Sequence, residues 1–356
     1  MNDPSDRYSR QVVFPGVGPE GQAKLRTARV TLVGCGALGT VIANVLARAG
    51  VGALRIVDRD YVELSNLQRQ VLFDEADARA GTPKAVAAAA ALARVNSEVA
   101  IEPVVEDFGP ANAERLVADA DLVLDGTDNF ETRYVVNDAC VKLGKRWVYA
   151  AAIASYGVVM PIVPGDTPCL RCVFPDPASA AGVDTCDTAG VLGPTPGVIA
   201  NIAAAEGLKL LVGAREQLSE GLLWIDLWYN SFQRTPVTAP EPDCPACGRR
   251  DFPFLEGRTV RTQTLCGRDA VQVRPASPAQ LDLPSLAARL ETFAPVQHNA
   301  HLIRLNVDPY ELTIFRDGRA IIKGTGDASV ARAVYARYVG TRATGFPAHQ
   351  GARLEK

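Results

Sequence analysis

The chain has 356 residues, of which 47% are hydrophobic and 22% charged, and its formal net charge is -3 at pH 7. This length accommodates one large domain and a smaller second one, and the weakly negative charge excludes the basic surface that nucleic-acid binding requires. No apolar run reaches the roughly 20 residues that cross a bilayer, so we expect neither a nucleic acid nor a membrane as a partner.

The N-terminal residues MNDPSDRYSRQ are polar and acidic, whereas a secretory signal needs a basic start and an apolar stretch. We therefore expect a cytoplasmic protein. Because cytoplasmic thiols stay reduced, the eight cysteines indicate metal ligands or catalytic groups rather than a disulfide framework.

Strand-like and helix-like segments alternate along the first part of the chain. Short β-branched runs predict strands, and a glycine turn with a helical pattern follows the first of them. The predicted strands lie at 29–34, 53–58, 122–130 and 147–164, the last range holding two strands, and the predicted helices lie at 40–51, 85–96 and 198–213. This alternation predicts an α/β fold with a Rossmann-like, doubly wound, mainly parallel sheet, whose ligands bind beyond the carboxyl ends of the strands.

The sequence divides into a large N-terminal domain and a smaller C-terminal module. Residues 1–250 form the predicted first domain, interrupted at about 173–197 by a crossover loop rich in proline, glycine and small residues. The segment GRRDFPFLEG, residues 248–257, is predicted to be a linker. Residues 258–340 predict a small α+β module of short strands and helices, and residues 341–356 a loose tail.

Gly34, Gly36 and Gly39 have the GxGxxG spacing directly after the first predicted strand. Glycines at this spacing let the backbone approach a phosphate at a helix N-terminus, whose free amides and dipole favour anions. Asp58 ends the next predicted strand, where a carboxylate can bind ribose hydroxyls. These residues predict a nucleotide site but leave NAD and ATP equally open, and a tight turn without a ligand also fits the glycines.

Two CxxC pairs are present, Cys169 with Cys172 and Cys244 with Cys247. Four converging thiolates form a structural zinc site with no open position for catalysis. The sequence CPACG around the second pair has the proline and glycine neighbours of a zinc knuckle. A thioredoxin-like redox role for one pair and four buried, unliganded cysteines are the alternatives.

Further motifs distinguish between the nucleotides. DRDYVELSNLQRQ occupies residues 58–70, Lys84 follows it, and DGTDNF occupies 125–130. Together with RYSRQ at 7–11 and CDTAGV at 186–191, these motifs resemble the MoeB/ThiF (HesA/MoeB/ThiF) adenylyltransferases, relatives of the ubiquitin-activating enzymes. The resemblance covers roughly residues 5–250.

The resemblance implies a role for each matching residue. Asp58 would bind ribose, Asp128 would hold magnesium with Asn129 beside it, and Arg10 would reach a nucleotide in the other subunit of a homodimer. Ala37 stands where many relatives have glycine and adds only a methyl group. The implied nucleotide-binding set is Gly34, Gly36, Ala37, Gly39, Asp58, Asp60, Ser65, Asn66, Arg69, Lys84, Asp128 and Asn129. The implied catalytic set is Arg10, Arg69, Lys84, Asp128 and Cys186.

The resemblance also implies a reaction and its partners. ATP would adenylylate the C-terminal Gly-Gly carboxylate of a ubiquitin-like sulfur-carrier protein, serving molybdopterin, thiamine or thiolated tRNA synthesis, with a cysteine desulfurase or a rhodanese as sulfur donor. A terminal carboxyl group has a pKa of about 3.5, so it is already an anionic nucleophile and needs no general base. Cations must bring this anion to the α-phosphate, and magnesium, two arginines and a lysine could supply them.

Two other functions stay open at this stage. An NAD-dependent oxidoreductase would share the glycines and Asp58, but it would not explain SNLQRQ, Asp128 or the zinc-type cysteines. A non-catalytic protein with the nucleotide fold could bind a ubiquitin-like partner, although it would have no need of Arg69 and Lys84.

Cys186 lies in the predicted crossover loop, between Asp184 and Asp187. The resemblance implies that its thiol takes part in thioester or acyl-disulfide chemistry. The neighbouring carboxylates oppose thiolate formation, so a dispensable cysteine is the alternative.

Overall fold

The computed structural model describes residues 7–175, 189–237, 239–257, 270–273 and 280–339. Cys186 and most of the predicted crossover loop lie outside these residues. Packing divides the chain into two compact units, Met1–Val260 and Arg261–Lys356.

The first unit is built around an eight-stranded sheet. Its strands are β1 (Arg29–Val33), β2 (Ala53–Val57), β3 (Ala100–Val104), β4 (Leu122–Asp125), β5 (Trp147–Ile153), β6 (Tyr156–Ile162), β7 (Leu222–Asp226) and β8 (Ser231–Thr235). They follow the order β3-β2-β1-β4-β5-β6-β7-β8, with parallel pairs from β3 to β5 and antiparallel pairs beyond. The strand order reverses between β1 and β4, which places the ligand-binding crevice of such a sheet at their carboxyl ends.

Helices cover both faces of this sheet. They are α1 (Ser9–Val13), α2 (Gly18–Thr27), α3 (Ala37–Ala49), α4 (Glu75–Ala80), α5 (Lys84–Val95), α6 (Ala113–Val117), α7 (Phe130–Leu143), α8 (Leu170–Val173) and α9 (Pro194–Val212). Leu32 packs in one buried cluster with residues of α3, α5 and α9, and Val33 packs in another with residues of α6 and α7. Since successive strand residues point to opposite faces, the predicted doubly wound, mainly parallel fold is confirmed.

Helix α9 starts earlier than predicted, at Pro194, because proline is well tolerated in the first helical turn. It ends at Gly213, which has a φ of 89° and caps the helix in the left-handed conformation as predicted. Among the described residues, α9 is the one helix long and apolar enough to cross a bilayer, but 61% of that stretch is buried. It packs against α3, β5 and β6, as the core helix of a globular unit does.

The predicted linker at 248–257 packs on the first unit, so that prediction is wrong. The ring of Phe254 stacks on Tyr134 of α7 with 4.6 Å between centroids. Oδ2 of Asp138 accepts hydrogen bonds from the backbone amides of Phe254 and Leu255. The buried side chains are those of Phe252, Phe254 and Leu255. Removing these apolar side chains from water stabilises the packed position of the segment.

The described part of the second unit contains a five-stranded antiparallel sheet and two helices. Its elements are β9 (Ala270–Val273), α10 (Leu283–Leu290), β10 (Val296–His298), β11 (Leu302–Val307), β12 (Tyr310–Phe315), β13 (Ala320–Lys323) and α11 (Ala328–Tyr338), and the strand order is β10-β11-β12-β13-β9. Apolar residues such as Ile303, Leu312 and Ile314 share one buried cluster with residues of α10 and α11. The predicted C-terminal α+β module is confirmed.

Candidate nucleotide site and cysteine cluster

The backbone of the turn between β1 and α3 lies close to the backbone of the loop after β4. A Cβ on Gly34, which has a φ of 88°, would lie 2.6 Å from the carbonyl oxygen of Gly126. A Cβ on Gly126 would lie 2.4 Å from the carbonyl oxygen of Gly34, and one on Gly39 would contact the same oxygen. Both loops therefore need glycine in order to meet, and Gly126 is a residue that the sequence analysis did not single out.

Gly36 differs from its neighbours because the space beside it is open. A Cβ there would meet one atom within 4 Å, Nε2 of Gln70 at 3.9 Å. Gly36 precedes α3, and Ala37 is the first residue of this helix. The first amides of a helix have no intrahelical acceptor, so this end of α3 can bind an anion that approaches Gly36.

Asp58, directly after β2, holds the glycine turn with its carboxylate. Its Oδ2 accepts a hydrogen bond of 2.6 Å from the amide of Cys35, and its Oδ1 accepts one of 2.7 Å from the amide of Asp60. Burial raises the pKa of Asp58, and Lys84 and the two amides act against that rise. Asp58, which is predicted to bind ribose, therefore also stabilises the glycine turn.

Lys84, the first residue of α5, is buried among carboxylates. Its Nζ lies 3.3 Å from Oδ2 of Asp60, and its amide donates to the carbonyl oxygen of the same residue at 2.8 Å. Burial alone would lower the pKa of Lys84, but the carboxylates of Asp60, Asp58 and Asp128 outweigh it and raise the pKa. The structure therefore brings these four predicted site residues together around one protonated ammonium group.

The SNLQRQ motif forms a short 3-10 turn, Leu64–Asn66, rather than an α-helix. Asn66 is buried, and its Oδ1 accepts a hydrogen bond of 3.1 Å from the amide of Glu63. Ser65 is exposed, and its carbonyl oxygen accepts a hydrogen bond of 2.9 Å from Nη1 of Arg69. Asn66 shapes the turn, while Ser65 and Arg69 lie at its surface.

The DGTDNF loop places Asp128 at the surface and uses Asn129 to begin α7. Oδ1 of Asn129 accepts a hydrogen bond of 2.8 Å from the amide of Thr132, as an N-cap residue does. Nδ2 of the same side chain lies 3.4 Å from Oδ1 of Asp128. Asp128 keeps an exposed carboxylate, whose charge contributes to the raised pKa of Lys84, and an exposed carboxylate is suited to a hard cation.

A buried ion pair that the sequence analysis missed supports this loop. Nε of Arg133 lies 3.1 Å from Oδ2 of Asp125, and Oδ1 of the same carboxylate accepts two hydrogen bonds from Thr127, at 2.8 Å from its amide and 2.7 Å from its hydroxyl. Burial raises the pKa of Asp125, while Arg133 and Thr127 oppose the rise. The signal in the sequence was an acid at the end of a strand with an arginine eight residues later, one helical turn into the following helix.

Arg10 lies away from the glycine turn of its own chain. It is exposed on α1, where the neighbouring Gln11 donates to the carbonyl oxygen of Ala49 at 2.9 Å. Ala49 ends α3, and the 13 residues of this helix separate the two sites by about 20 Å. Cys186 lies outside the described residues, so its predicted place near the site stays a prediction.

The two CxxC pairs converge on one point at the edge of the first unit. The sulfur of Cys169 lies 3.6 Å from that of Cys244, and the sulfur of Cys172 lies 3.4 Å from that of Cys247. All four sulfur atoms lie within 4.8 Å of one another. Tetrahedral zinc with bonds of about 2.3 Å requires sulfur separations of about 3.8 Å, so the donor set and its spacing fit zinc.

The chain is similar in sequence to several adenylyltransferases. The family described as "ThiF family" matches residues 8–246. The "Sulfur carrier protein ThiS adenylyltransferase" of Bacillus subtilis is 44% identical over 338 residues, covering 94% of this chain and 99% of that protein. The "SAMP-activating enzyme E1" of Haloferax volcanii is 44% identical over 251 residues, covering 70% of this chain and 92% of that protein.

A solved structure shows the same architecture. The structure described as "Crystal structure of E. coli MccB + ATP" superposes with a TM-score of 0.60 and 25% sequence identity, covering 69% of this chain and 75% of that one. The 338 residues aligned with the Bacillus relative exceed the length of the first unit, so that similarity also extends into the second unit.

Proposed function

The chain belongs to the ThiF family, and on this premise we propose that it adenylylates the C-terminal carboxylate of a ubiquitin-like sulfur-carrier protein with ATP. One observation carries the proposal: Lys84 holds its ammonium among Asp58, Asp60 and Asp128, and Asp58 binds the glycine turn whose open face borders a helix N-terminus. The Bacillus relative, which is named as a sulfur carrier protein adenylyltransferase, gives the substrate class. The terminal Gly-Gly of the carrier rests on the sequence resemblance.

The reaction forms one bond and breaks one. A carboxylate oxygen of the carrier attacks the α-phosphorus of ATP, the bond from that phosphorus to the bridging α–β oxygen breaks, and pyrophosphate leaves with the electron pair. The product is a mixed anhydride between the carrier and AMP. No proton has to be removed from the nucleophile, because a terminal carboxyl group with a pKa of about 3.5 is ionised at neutral pH.

The residues of this chain supply charge and orientation. The amides at the start of α3 and the Lys84 ammonium attract the phosphates, and Arg69 adds a second cation from the SNLQRQ turn. Together with Asp60, Ser65 and Asn66 they form the proposed phosphate region, while Asp58 binds ribose. Arg10 of a second copy completes the site in the proposed homodimer, in line with its distance from the turn of its own chain.

Two metal ions belong to the proposal. Asp128, with Asn129 beside it, would hold magnesium, which neutralises charge on the phosphates when bound. Cys169, Cys172, Cys244 and Cys247 would hold a structural zinc ion that ties α8 to the segment 244–247, and their sulfur separations support it. Zinc analysis of the purified protein, with Cys172→Ser as the variant and Cys140→Ser as the control outside the cluster, tests the second ion.

The later steps and the setting of the reaction are also proposals. The acyl group passes to Cys186 or to a persulfide that a cysteine desulfurase or rhodanese supplies, and the thiocarboxylate serves molybdopterin, thiamine or tRNA thiolation. A cytoplasmic location fits a cluster of four free thiols.

Exchange of labelled pyrophosphate into ATP tests the adenylylation. We expect exchange that depends on magnesium and on a carrier ending in Gly-Gly, that is lost in Asp128→Ala and that persists in Cys186→Ala. A folded protein that binds ATP but supports no exchange with any diglycine carrier would contradict the proposal and favour a non-catalytic binding protein.

A further inference from the structure

Gln70 is buried, with 4% of it exposed, and its side-chain oxygen Oε1 has no hydrogen-bond partner among the described residues. The backbone of Gln70 is fully used, because its amide donates to the carbonyl oxygen of Asn66 at 3.0 Å and its own carbonyl accepts from Phe73. A buried amide oxygen that accepts no hydrogen bond destabilises the fold, so a side chain kept in this state indicates a role other than stability.

The other end of this side-chain amide, the donor Nε2, faces the glycine turn. Nε2 of Gln70 is the one atom among the described residues that comes within 4 Å of a Cβ built on Gly36, at 3.9 Å. Gly36 precedes the 13-residue helix α3, whose first amides point to the same space. A ligand oxygen that lies over Gly36 would therefore meet both the helix amides and the Gln70 amide.

The geometry points to Gln70 as a further binding residue, which donates a hydrogen bond from Nε2 to a phosphate oxygen of the nucleotide at Gly36. This inference rests on the proposed ATP site but not on the transfer reaction. The rest of the nucleotide, adenine and ribose, makes no contact with Gln70 under this proposal.

Equilibrium binding of ATP and of adenosine to the full chain tests whether Gln70 contacts the phosphates rather than adenine or ribose. Gln70→Met removes the amide at similar size, Gln70→Glu keeps the shape but replaces the donor with a group that repels phosphate, and Gln68→Met makes the same change at an exposed neighbour. A lost hydrogen bond to a charged acceptor weakens binding by about tenfold or more. We expect this loss for ATP with Gln70→Met, a larger loss with Gln70→Glu, and wild-type affinity for adenosine.

Thermal unfolding of the ligand-free variants supplies the second readout. Gln70→Met should unfold at or above the temperature of the wild-type protein, because it removes an unpaired buried amide. Unchanged ATP affinity, an equal loss for adenosine, or a lower unfolding temperature that parallels the loss of ATP would each overturn the inference. If the Gln70 variants bind ATP more weakly as expected but the wild-type chain supports no pyrophosphate exchange, the proposed reaction fails and the role of Gln70 stands.

Discussion

Two carboxylate–cation pairs stand near the carboxyl ends of β2 and β4, and they differ in how much water reaches them. Arg133 and Asp125 lie 3.1 Å apart with side chains 6% and 0% exposed. Lys84 and Asp60 lie 3.3 Å apart, and the side chain of Asp60 is 41% exposed. The first pair is enclosed by its own loop, whereas the second opens on one side.

The enclosed pair supports the loop structure, whereas the partly exposed pair can take part in chemistry. Asp125 accepts two hydrogen bonds from Thr127, and Arg133 donates to the carbonyl oxygen of Thr127, so this pair shapes the loop that carries Asp128. Lys84 has three N–H donors, and the Asp60 side chain beside it is partly exposed to solvent, so an anionic ligand can still reach the Lys84 ammonium. Two substitutions test this contrast, beginning with the larger expected effect, and a third tests a separate buried carboxylate.

Arg133→Met should lower the free energy of unfolding by about 3–5 kcal/mol, because it leaves the Asp125 carboxylate buried without its cation. Urea unfolding measures the change. The control is Arg115→Met, which removes an exposed pair with Glu106 at 2.7 Å and should cost less than about 1 kcal/mol. Equal costs for the two variants would contradict the supporting role of the buried pair.

Lys84→Met should reduce pyrophosphate exchange by about 10²–10³-fold, the usual effect of removing one group that stabilises charge in a transition state. The cost in unfolding free energy should be smaller than that of Arg133→Met, since water can solvate Asp60. Lys142→Met, which breaks the surface pair with Glu114 at 3.1 Å, serves as the control for lysine loss. Full exchange by a folded Lys84→Met variant would remove Lys84 from the proposed mechanism.

Asp138, a buried carboxylate outside the nucleotide site, offers a further test with a smaller expected effect. Burial raises its pKa to about 6, against the opposing effect of Arg171 and the amides of Leu255 and Phe254. An acid whose pKa is higher in the folded state stabilises the fold below its unfolded pKa of about 3.9, and this contribution is lost as pH rises through the folded pKa.

Asp138→Asn removes this titration while keeping an oxygen that can accept the two amides. We expect the variant to gain about 1–3 kcal/mol in unfolding free energy, relative to wild type, between pH 4 and pH 7. Urea unfolding at both values measures it, with Asp121→Asn as an exposed control. A difference between variant and wild type that does not change with pH would contradict the prediction.

Local patterns were sufficient for much of the fold. The GxGxxG spacing predicted the turn before α3, and the short strand-like and helix-like segments of 258–340 predicted the α+β module. The segment 248–257 was misjudged, because its proline, glycines and charges resemble a linker while its burial depends on α7, more than 100 residues earlier.

The sequence by itself determined the elements, the glycine turn, the CxxC pairs and the family, since each is a pattern within a few residues or a motif of fixed spacing. Only the tertiary structure decided that Gly126 must meet Gly34, that Arg133 and Asp125 are enclosed together, and that Gln70 lies beside Gly36 with its Oε1 unpaired. Two of these contacts join residues far apart along the chain, and the burial of Arg133 and Asp125, eight residues apart, depends on the elements that pack around them. Their distances depend on how the strands and helices pack, which no local pattern contains.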